Sequence, residues 1–359
     1  PITVPVLGIL GDLYPGQDQG LIGGDPDQRA LPLAGTLAPI PWLESPTAQV
    51  LTACVDGDGN PAPFEPCLPL QRVLDRYRAD GWSPVVATEL EFYLLEPGDG
   101  ERPAPLRGRI PGTALAQEGI QYCMPDDLID CDAFLEEVRR ACDIQLVPLT
   151  AIHSEFSPGQ WEINTHHRDD PIVAAHDALL LRRIVKAVAR RHKHHATFMA
   201  KPFADAGGSG MHIHASVYDG DGRNVLAAAE ESDPPQLSPA LRQAVGGLAA
   251  TVDEAMALFA PNPNSYRRFK AGAFAPSGKS WGYDHREVAL RIPVSGEDNR
   301  RIEHRVAGAD ANPFFVLAAV LAGIHHGLSE RCDPGDPVPR EADLSGDTVT
   351  LPTRLDSAL

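Results

Sequence analysis

No pair of cysteines in CxxC spacing occurs anywhere in the 359 residues. The six present (Cys54, Cys67, Cys123, Cys131, Cys142 and Cys332) form no dense framework, so reduced thiols in a cytoplasmic protein are the expectation. Long apolar runs are missing too. None approaches the ~18 residues of a membrane span, and the longest, residues 314–324, lies between Asn312-Pro313 and His325-His326 and reads as a buried helix. Residues 1–10 are apolar but lack the basic flank and cleavage signature of a secretory leader. A starting Met is absent as well, and a fragment is expected. Positive charge is in deficit, with 31 Lys and Arg against 49 Asp and Glu, a net charge of −18. That balance argues against a nucleic-acid or anionic-membrane surface. It is compatible with a cationic substrate, although solubility is the ordinary explanation. There is no GxxxxGK[ST] loop, no kinase signature and no internal repeat.

What is present is a globular composition, 43% hydrophobic and 22% charged, long enough for one large domain or two smaller ones. Residues 1–65 are rich in Pro, Gly and Asp, with a strand-like stretch over 49–55 and a hairpin turn at Asp56-Gly-Asp-Gly. They read as the tail of a small β-rich domain, and residues 66–359 as the main one. Helices are predicted over 70–80, 132–142, 171–191, 239–259 and 313–327, with Asp170-Pro171, Ser238-Pro239 and Asn312-Pro313 as start signals. Strands are predicted over 83–95, 198–203 and 211–217. Residues 97–130 read as loop, 270–280 as a small, flexible flap, and 331–359 as peripheral. The basic run Arg190-Arg-His-Lys-His-His195 is read as cations complementing a helix C-terminus, because it lacks interleaved aromatics.

The chemistry sits on strand faces. Side chains two apart in a strand share a face, so Val85, Ala87, Glu89, Glu91 and Tyr93 project one way and Val86, Thr88, Leu90, Phe92 and Leu94 the other. Adjacent carboxylates repel unless a cation lies between them. Glu89 and Glu91 are therefore a metal or acid pair, or else part of a solvent-facing strand. Glu155 and Glu162 flank the turn Ser157-Pro-Gly and would face one point from two limbs of a hairpin. Gly207-Gly-Ser-Gly leads into Met211-His-Ile-His214, placing His212, His214 and Ser216 on one face. Arg301, Glu303 and Arg305 share another. Five carboxylates with one imidazole suit two or three Mg²⁺ or Mn²⁺ ions rather than zinc or copper. Arg268, Arg286, Arg291, Arg301 and Arg305 are groups that recognise phosphate and carboxylate. Together they describe an ATP-consuming phosphoryl-transfer site.

Six ordered motifs carry a resemblance. Thr-Glu89-Leu-Glu91-Phe-Tyr, Glu155-Phe-Ser-Pro-Gly-Gln-Trp-Glu162-Ile, Gly-Ser-Gly-Met-His212-Ile-His214, Asn264-Ser-Tyr-Arg-Arg268, Arg291-Ile-Pro and Arg301-Ile-Glu303-His-Arg305 resemble the glutamine synthetase family over roughly residues 50–330. Gly24-Asp-Pro-Asp, the stretch ending at Pro41-Trp42, Asn-Thr-His-His-Arg-Asp-Asp170 and Glu303-His-Arg-Val-Ala-Gly-Ala-Asp-Ala-Asn-Pro313 are similar to its γ-glutamylpolyamine (glutamate–putrescine) ligase branch. The resemblance implies an α+β fold: a partial β-grasp N-terminal domain before a catalytic domain built on a curved antiparallel sheet with flanking helices. It implies that Glu91, Glu155 and Glu162 hold one metal, and that Glu89, His212 and Glu303 hold the one on the ATP phosphates. Gly207, Gly208 and Arg268 would bind glutamate, with Arg305 near its carboxylate. Arg286 and Arg291 would contact phosphates, Arg301 would lie by the nucleotide, and His214 with Ser216 would line its pocket. Arg286, Arg305 and Glu303 would be catalytic.

The implied reaction passes the γ-phosphate of ATP to the γ-carboxylate of glutamate, after which an amine displaces phosphate. Phe274 falls where ammonia-using members carry a flap glutamate, which favours an organic amine over ammonia. A glutamine synthetase proper and a catalytically silent member are the alternatives. The N-terminal Asp-Gly-Ser-type loop that completes a neighbour's site in the family is not found. The family further implies a cytoplasmic dodecamer of two stacked hexameric rings, with no nucleic-acid or membrane partner.

Overall fold

The computed structural model describes residues 29–62, 64–97, 103–228, 237–270, 275–344, 346 and 349–359. The chain divides into two compact units, one up to Leu68 and one from Pro69 onward. In the first unit β1 (Arg29–Pro32) pairs antiparallel with β4 (Thr52–Val55), and β2 (Ala38–Pro39) with β3 (Ala48–Gln49). The strand-like stretch over 49–55 is thus split between two small sheets. The turn at Asp56 closes as expected, with Asp56 Oδ1 accepting from the amides of Asp58 and Asn60, both at 2.9 Å.

The second unit is organised by an eight-stranded sheet. Its axis is β5 (Ser83–Leu95), whose buried residues alternate along the strand from Pro84 to Phe92. The apolar file, Val86, Leu90, Phe92 and Leu94, lies in the core. On one side β5 pairs with β7 (Gln160–Thr165), which is followed by β6 (Leu149–Ser154); on the other it pairs with β9 (Met211–Tyr218), then β12 (Ile302–His304), β11 (Leu290–Ile292) and β10 (Trp281–Tyr283). Pairing is antiparallel except for β10 with β11, which is parallel. The short β8 (His195–Thr197) adds to the end of β5.

Helices cover the apolar side: α1 (Cys67–Ala79), α2 (Pro125–Asp130), α3 (Asp132–Gln145), α4 (Pro171–Arg191), α5 (Pro239–Thr251), α6 (Met256–Phe259) and α7 (Pro313–Glu330). The proline start signals are all used. Asp170 accepts from the amide of Ile172 at 2.9 Å, Ser238 from Leu241 at 3.0 Å and Asn312 from Phe314 at 3.0 Å. Helices α5 and α7 approach so closely that a Cβ on Gly247 would lie 2.2 Å from the Gly323 carbonyl, and one on Gly327 2.1 Å from that of Gln243. Glycine is required there by lack of space. By length and composition α7 would pass for a membrane span, contrary to the short-run expectation, but 61% of it is buried inside the protein.

Three further expectations are corrected. Residues 198–203 form no strand: the Asn264 amide takes the place of a neighbour, accepting from the Lys201 N–H and donating to its carbonyl, both at 2.9 Å. The helix expected over 239–259 breaks after Thr251, whose hydroxyl donates to the Gly247 carbonyl at 2.9 Å, and resumes at Met256. The tail is not peripheral. The Val338 amide donates to Trp281 on β10 at 2.8 Å, and Leu351 is buried. A covered edge strand has no free ladder to offer. The basic run ending α4 is held internally, with Arg191 and His192 both on Glu137, at 2.5 and 2.9 Å.

Candidate active site

Cross-strand register collects the polar file of each strand on one face of the sheet. Glu91 on β5 stands opposite Glu162 on β7, which stands opposite His153 on β6. One step along, Glu89 is flanked by Asn164 and His212. Farther across, His214 stands opposite Glu303, and Glu303 opposite Arg291. The Ser157 turn brings Glu155 back beside this row, with its amide accepted by the Gln160 carbonyl at 2.8 Å. The face opens on a cavity of about 450 Å³ whose lining includes all five glutamates, His153, His212, Arg268, Arg286, Arg291 and Arg305.

Charge is unevenly balanced over this wall. Burial raises the Glu162 carboxyl, and repulsion from Glu89, Glu91 and Glu155 adds to it, leaving it well above the ordinary carboxylate range. Burial also raises Glu91, with His212 opposing and Glu155 reinforcing. Glu89 goes the other way: burial pushes it up, but its hydrogen bonds with His212 (3.1 Å) and His214 (2.7 Å) outweigh that and hold it well below normal. Because Arg301 Nε donates to His214 Nδ1 at 3.2 Å, the bond to Glu89 comes from a proton on His214 Nε2. Glu303 is opposed by burial too, yet Arg305 and the two histidines draw it down to about 2. Its oxygens receive Arg291 at 2.7 Å and Arg305.

Oxygen ligands with imidazole fit a hard divalent cation, and mutual repulsion among Glu89, Glu91, Glu155 and Glu162 is what such a cation relieves. Three groups have ligand atoms within 4.8 Å of one another: Glu89, His214 and Glu303; Glu89, Glu162 and His212; and His153, Glu155 and Glu162. In the same lining, Arg268, Arg291 and Arg305 each keep a buried Nε without a hydrogen-bond partner.

The chain's matches to known proteins follow the same outline. Residues 64–359 match the catalytic domain of glutamine synthetase. The chain belongs to the glutamine synthetase family. It is 40% identical to gamma-glutamylputrescine synthetase PuuA of Escherichia coli (strain K12), an alignment covering 100% of this chain and 75% of that protein. It is 34% identical to a glutamate–isopropylamine ligase of Pseudomonas sp, covering 89% and 68% respectively. In three dimensions it is similar to GmaS in an ADP complex, with a TM-score of 0.81 at 28% identity over 94% of this chain and 76% of that one.

Most of the residues the family resemblance singles out line one of two adjoining cavities. Gly207 and Gly208 form a wall of the first. A Cβ on Gly208 would lie 2.6 Å from Arg268 Cγ and one on Gly207 2.7 Å from Gln160 Oε1, so backbone stands where a side chain would. Glu91 accepts from the Gly210 amide at 2.7 Å, which ties the glycine turn to the carboxylate row. His214, Ser216 and Arg301 line the second cavity, about 290 Å³, which shares Glu89 and Asn164 with the first. Ser216 spends its hydroxyl proton on the Arg300 carbonyl at 3.0 Å, and so also fastens the segment that carries Arg301. Phe274 and the N-terminal motif Gly24-Asp-Pro-Asp lie outside the described residues.

Several lining residues were not singled out from sequence: Tyr122, His153, Gln160 and Asn164 in the first cavity, and His166 and His167 in the second. Gln160 and Asn164 share the face of Glu162 by simple alternation, and His153 stands opposite it, so the signal was available for three of them. Asp284, outside both linings, supports one of the lining arginines. It accepts from Arg291 and from Arg340 of the tail, both at 2.7 Å, and completes a chain of alternating charges to Glu303 and Arg305.

Proposed function

We propose that this protein is an ATP-dependent ligase that joins the γ-carboxylate of glutamate to an organic amine through a γ-glutamyl phosphate. The observation that carries the reading is the adjoining pair of cavities. One is lined by five glutamates together with Arg268, Arg286, Arg291 and Arg305, and the other shares Glu89 and Asn164 with it. In this reading the nucleotide occupies the second cavity beside His214, Ser216 and Arg301, with its phosphates extending toward Arg286 and Arg291. Glutamate lies along Gly207 and Gly208 with its α-carboxylate on Arg268. Its γ-carboxylate then attacks the terminal phosphorus of ATP, and ADP leaves. The amine, once its ammonium proton has passed to a wall carboxylate, attacks the resulting acyl phosphate through its nitrogen; the C–O bond breaks, and inorganic phosphate departs with the second proton shed by the new amide.

Mg²⁺ or Mn²⁺, two to three ions, would be held by Glu91, Glu155 and Glu162 with His153, and by Glu89, His212 and Glu303. Bound metal supplies charge neutralisation at the phosphate oxygens. Arg305 orients the transferred group, and Glu303 holds Arg305 and Arg291 in place. Carboxylates on the wall attract the amine as a cation, and Phe274 is assigned to pack against its carbon chain. The relatives act on putrescine and isopropylamine according to their names, which supports an alkyl amine. The first unit is assigned as the end of a β-grasp domain, the assembly as a dodecamer of two hexameric rings, and the compartment as cytoplasm. The test is phosphate release from ATP, Mg²⁺ and glutamate with putrescine, isopropylamine, ethanolamine or ammonia. Metal-dependent release that requires both glutamate and an alkyl amine supports the reading, and release without either removes it.

A further inference from the structure

Outside the two cavities above, the second unit encloses a smaller one of about 150 Å³. Leu94 from β5, Phe134 from α3 and Trp161 from β7, all buried, give it apolar walls. Asp127, Asp130 and His194 belong to the same lining. Asp127 is only 6% exposed, yet its Oδ2 has no hydrogen-bond partner, and neither has His194 Nδ1. The cations nearby are engaged elsewhere: Arg107 pairs with Glu118 and His192 with Glu137, each at 2.9 Å. Among the described residues none pairs with Asp127. A buried carboxylate left this way is expensive unless a donor arrives.

We propose that this cavity is a second, non-catalytic binding site for a small primary alkylammonium ion. An –NH₃⁺ group has donors and no acceptor, which answers the unpartnered Asp127 Oδ2, with the Asp130 carboxylate in the same lining adding negative charge. Burial and neighbouring His192 pull the His194 imidazole down, which disfavours a competing positive charge in the lining. A short alkyl tail lies against Leu94, Phe134 and Trp161, and a cavity of this size admits about six heavy atoms. A metal fits less well, because half of the wall is apolar and the groups spaced for one all lie at the active site among the described residues. The site also touches the catalytic hairpin. Gln121, part of its lining, donates to the Gln160 carbonyl at 2.7 Å and accepts from the Gly159 amide at 3.1 Å, holding the turn between Glu155 and Glu162.

The test is titration of the full chain with propylammonium chloride in EDTA, without ATP or glutamate, followed by calorimetry and Trp161 fluorescence. Sodium chloride and 1-propanol at equal concentration are the controls. Saturable binding by the ammonium ion alone is expected. Asp127→Asn, which keeps the shape and removes the charge, should weaken it by about tenfold or more. Ala133→Phe should block it from an exposed position at the cavity rim that is safe for folding, and both variants should keep basal turnover. An equal response to propanol, or unchanged ammonium binding in both variants, overturns the proposal, as does no binding to the wild type. The proposal does not depend on the ligase reading. Loss of amine-dependent phosphate release with this binding intact would remove that reading alone.

Discussion

Glu162→Gln has opposite expected effects with and without metal. In the wild type Glu162 is buried among Glu89, Glu91 and Glu155, and its closest basic neighbour is His153 at 3.5 Å. Ionising it at pH 7 without a bound cation therefore costs stability, at about 1.4 kcal/mol for each unit by which its pKa is raised. The glutamine has the same shape and no charge, so the metal-free variant should gain on the order of 1–2 kcal/mol. For a chain of this size that is a rise in melting temperature of about 1–3 °C. With metal the order reverses. A ligand at a hundredfold excess over its Kd stabilises by about 2.7 kcal/mol, and the variant forgoes much of this. The assay is thermal melting of both proteins in EDTA and in millimolar Mn²⁺. The pH sign follows: because the folded pKa is raised, the Glu162 contribution is fully present below the unfolded value near 4.5 and is lost as pH rises through the folded one. The wild type in EDTA should therefore fall behind the variant as pH climbs from 4 to 8. A variant less stable than wild type in EDTA at pH 7 would refute the repulsion argument.

Glu303→Gln should do the reverse, costing about 3 kcal/mol without metal, because it strips a buried charge from between Arg291 and Arg305. With a folded pKa drawn down to about 2, its contribution is present above pH 4.5 and disappears as pH falls toward 2, which acid unfolding of wild type against variant would measure. Gly208→Ala should raise KM for glutamate by about tenfold or more and also lower the melting temperature, since the new Cβ meets buried Arg268 Cγ at 2.6 Å and the Ala200 carbonyl oxygen at 3.0 Å. Metal affinity should weaken as pH drops from 8 to 6, by up to about tenfold per unit for each proton displaced from Glu162 or Glu91, read by Mn²⁺ titration.

The site was more legible in the sequence than the surroundings that hold it. Period-two alternation is enough to put Glu89 with Glu91 and His212 with His214, because strand geometry leaves no other choice. It cannot show that His214 reaches diagonally to Glu89 at 2.7 Å, or that Arg291 joins Arg305 on Glu303, since both depend on which strands are neighbours. Local pattern also misled where a distant side chain took over backbone bonding. Residues 198–203 look like a strand, but Asn264, some sixty positions away, supplies the partner. The tail looked dispensable for its Pro and Asp content, although Arg340 reaches Asp284 beside the active-site arginines. The short α2 was readable from Pro125 and the acids in its first turn, and was hidden only by the loop-like stretch around it.

The central claim is that the carboxylate wall and the arginines facing it join glutamate to an organic amine. The most direct measurement is the rate of phosphate release with saturating ATP, Mg²⁺ and glutamate, comparing putrescine with ammonia at equal concentration. The account predicts faster release with the alkyl amine, and a γ-glutamyl amide accumulating in step with phosphate. Release that is equal or faster with ammonia, with glutamine as the product, would contradict it.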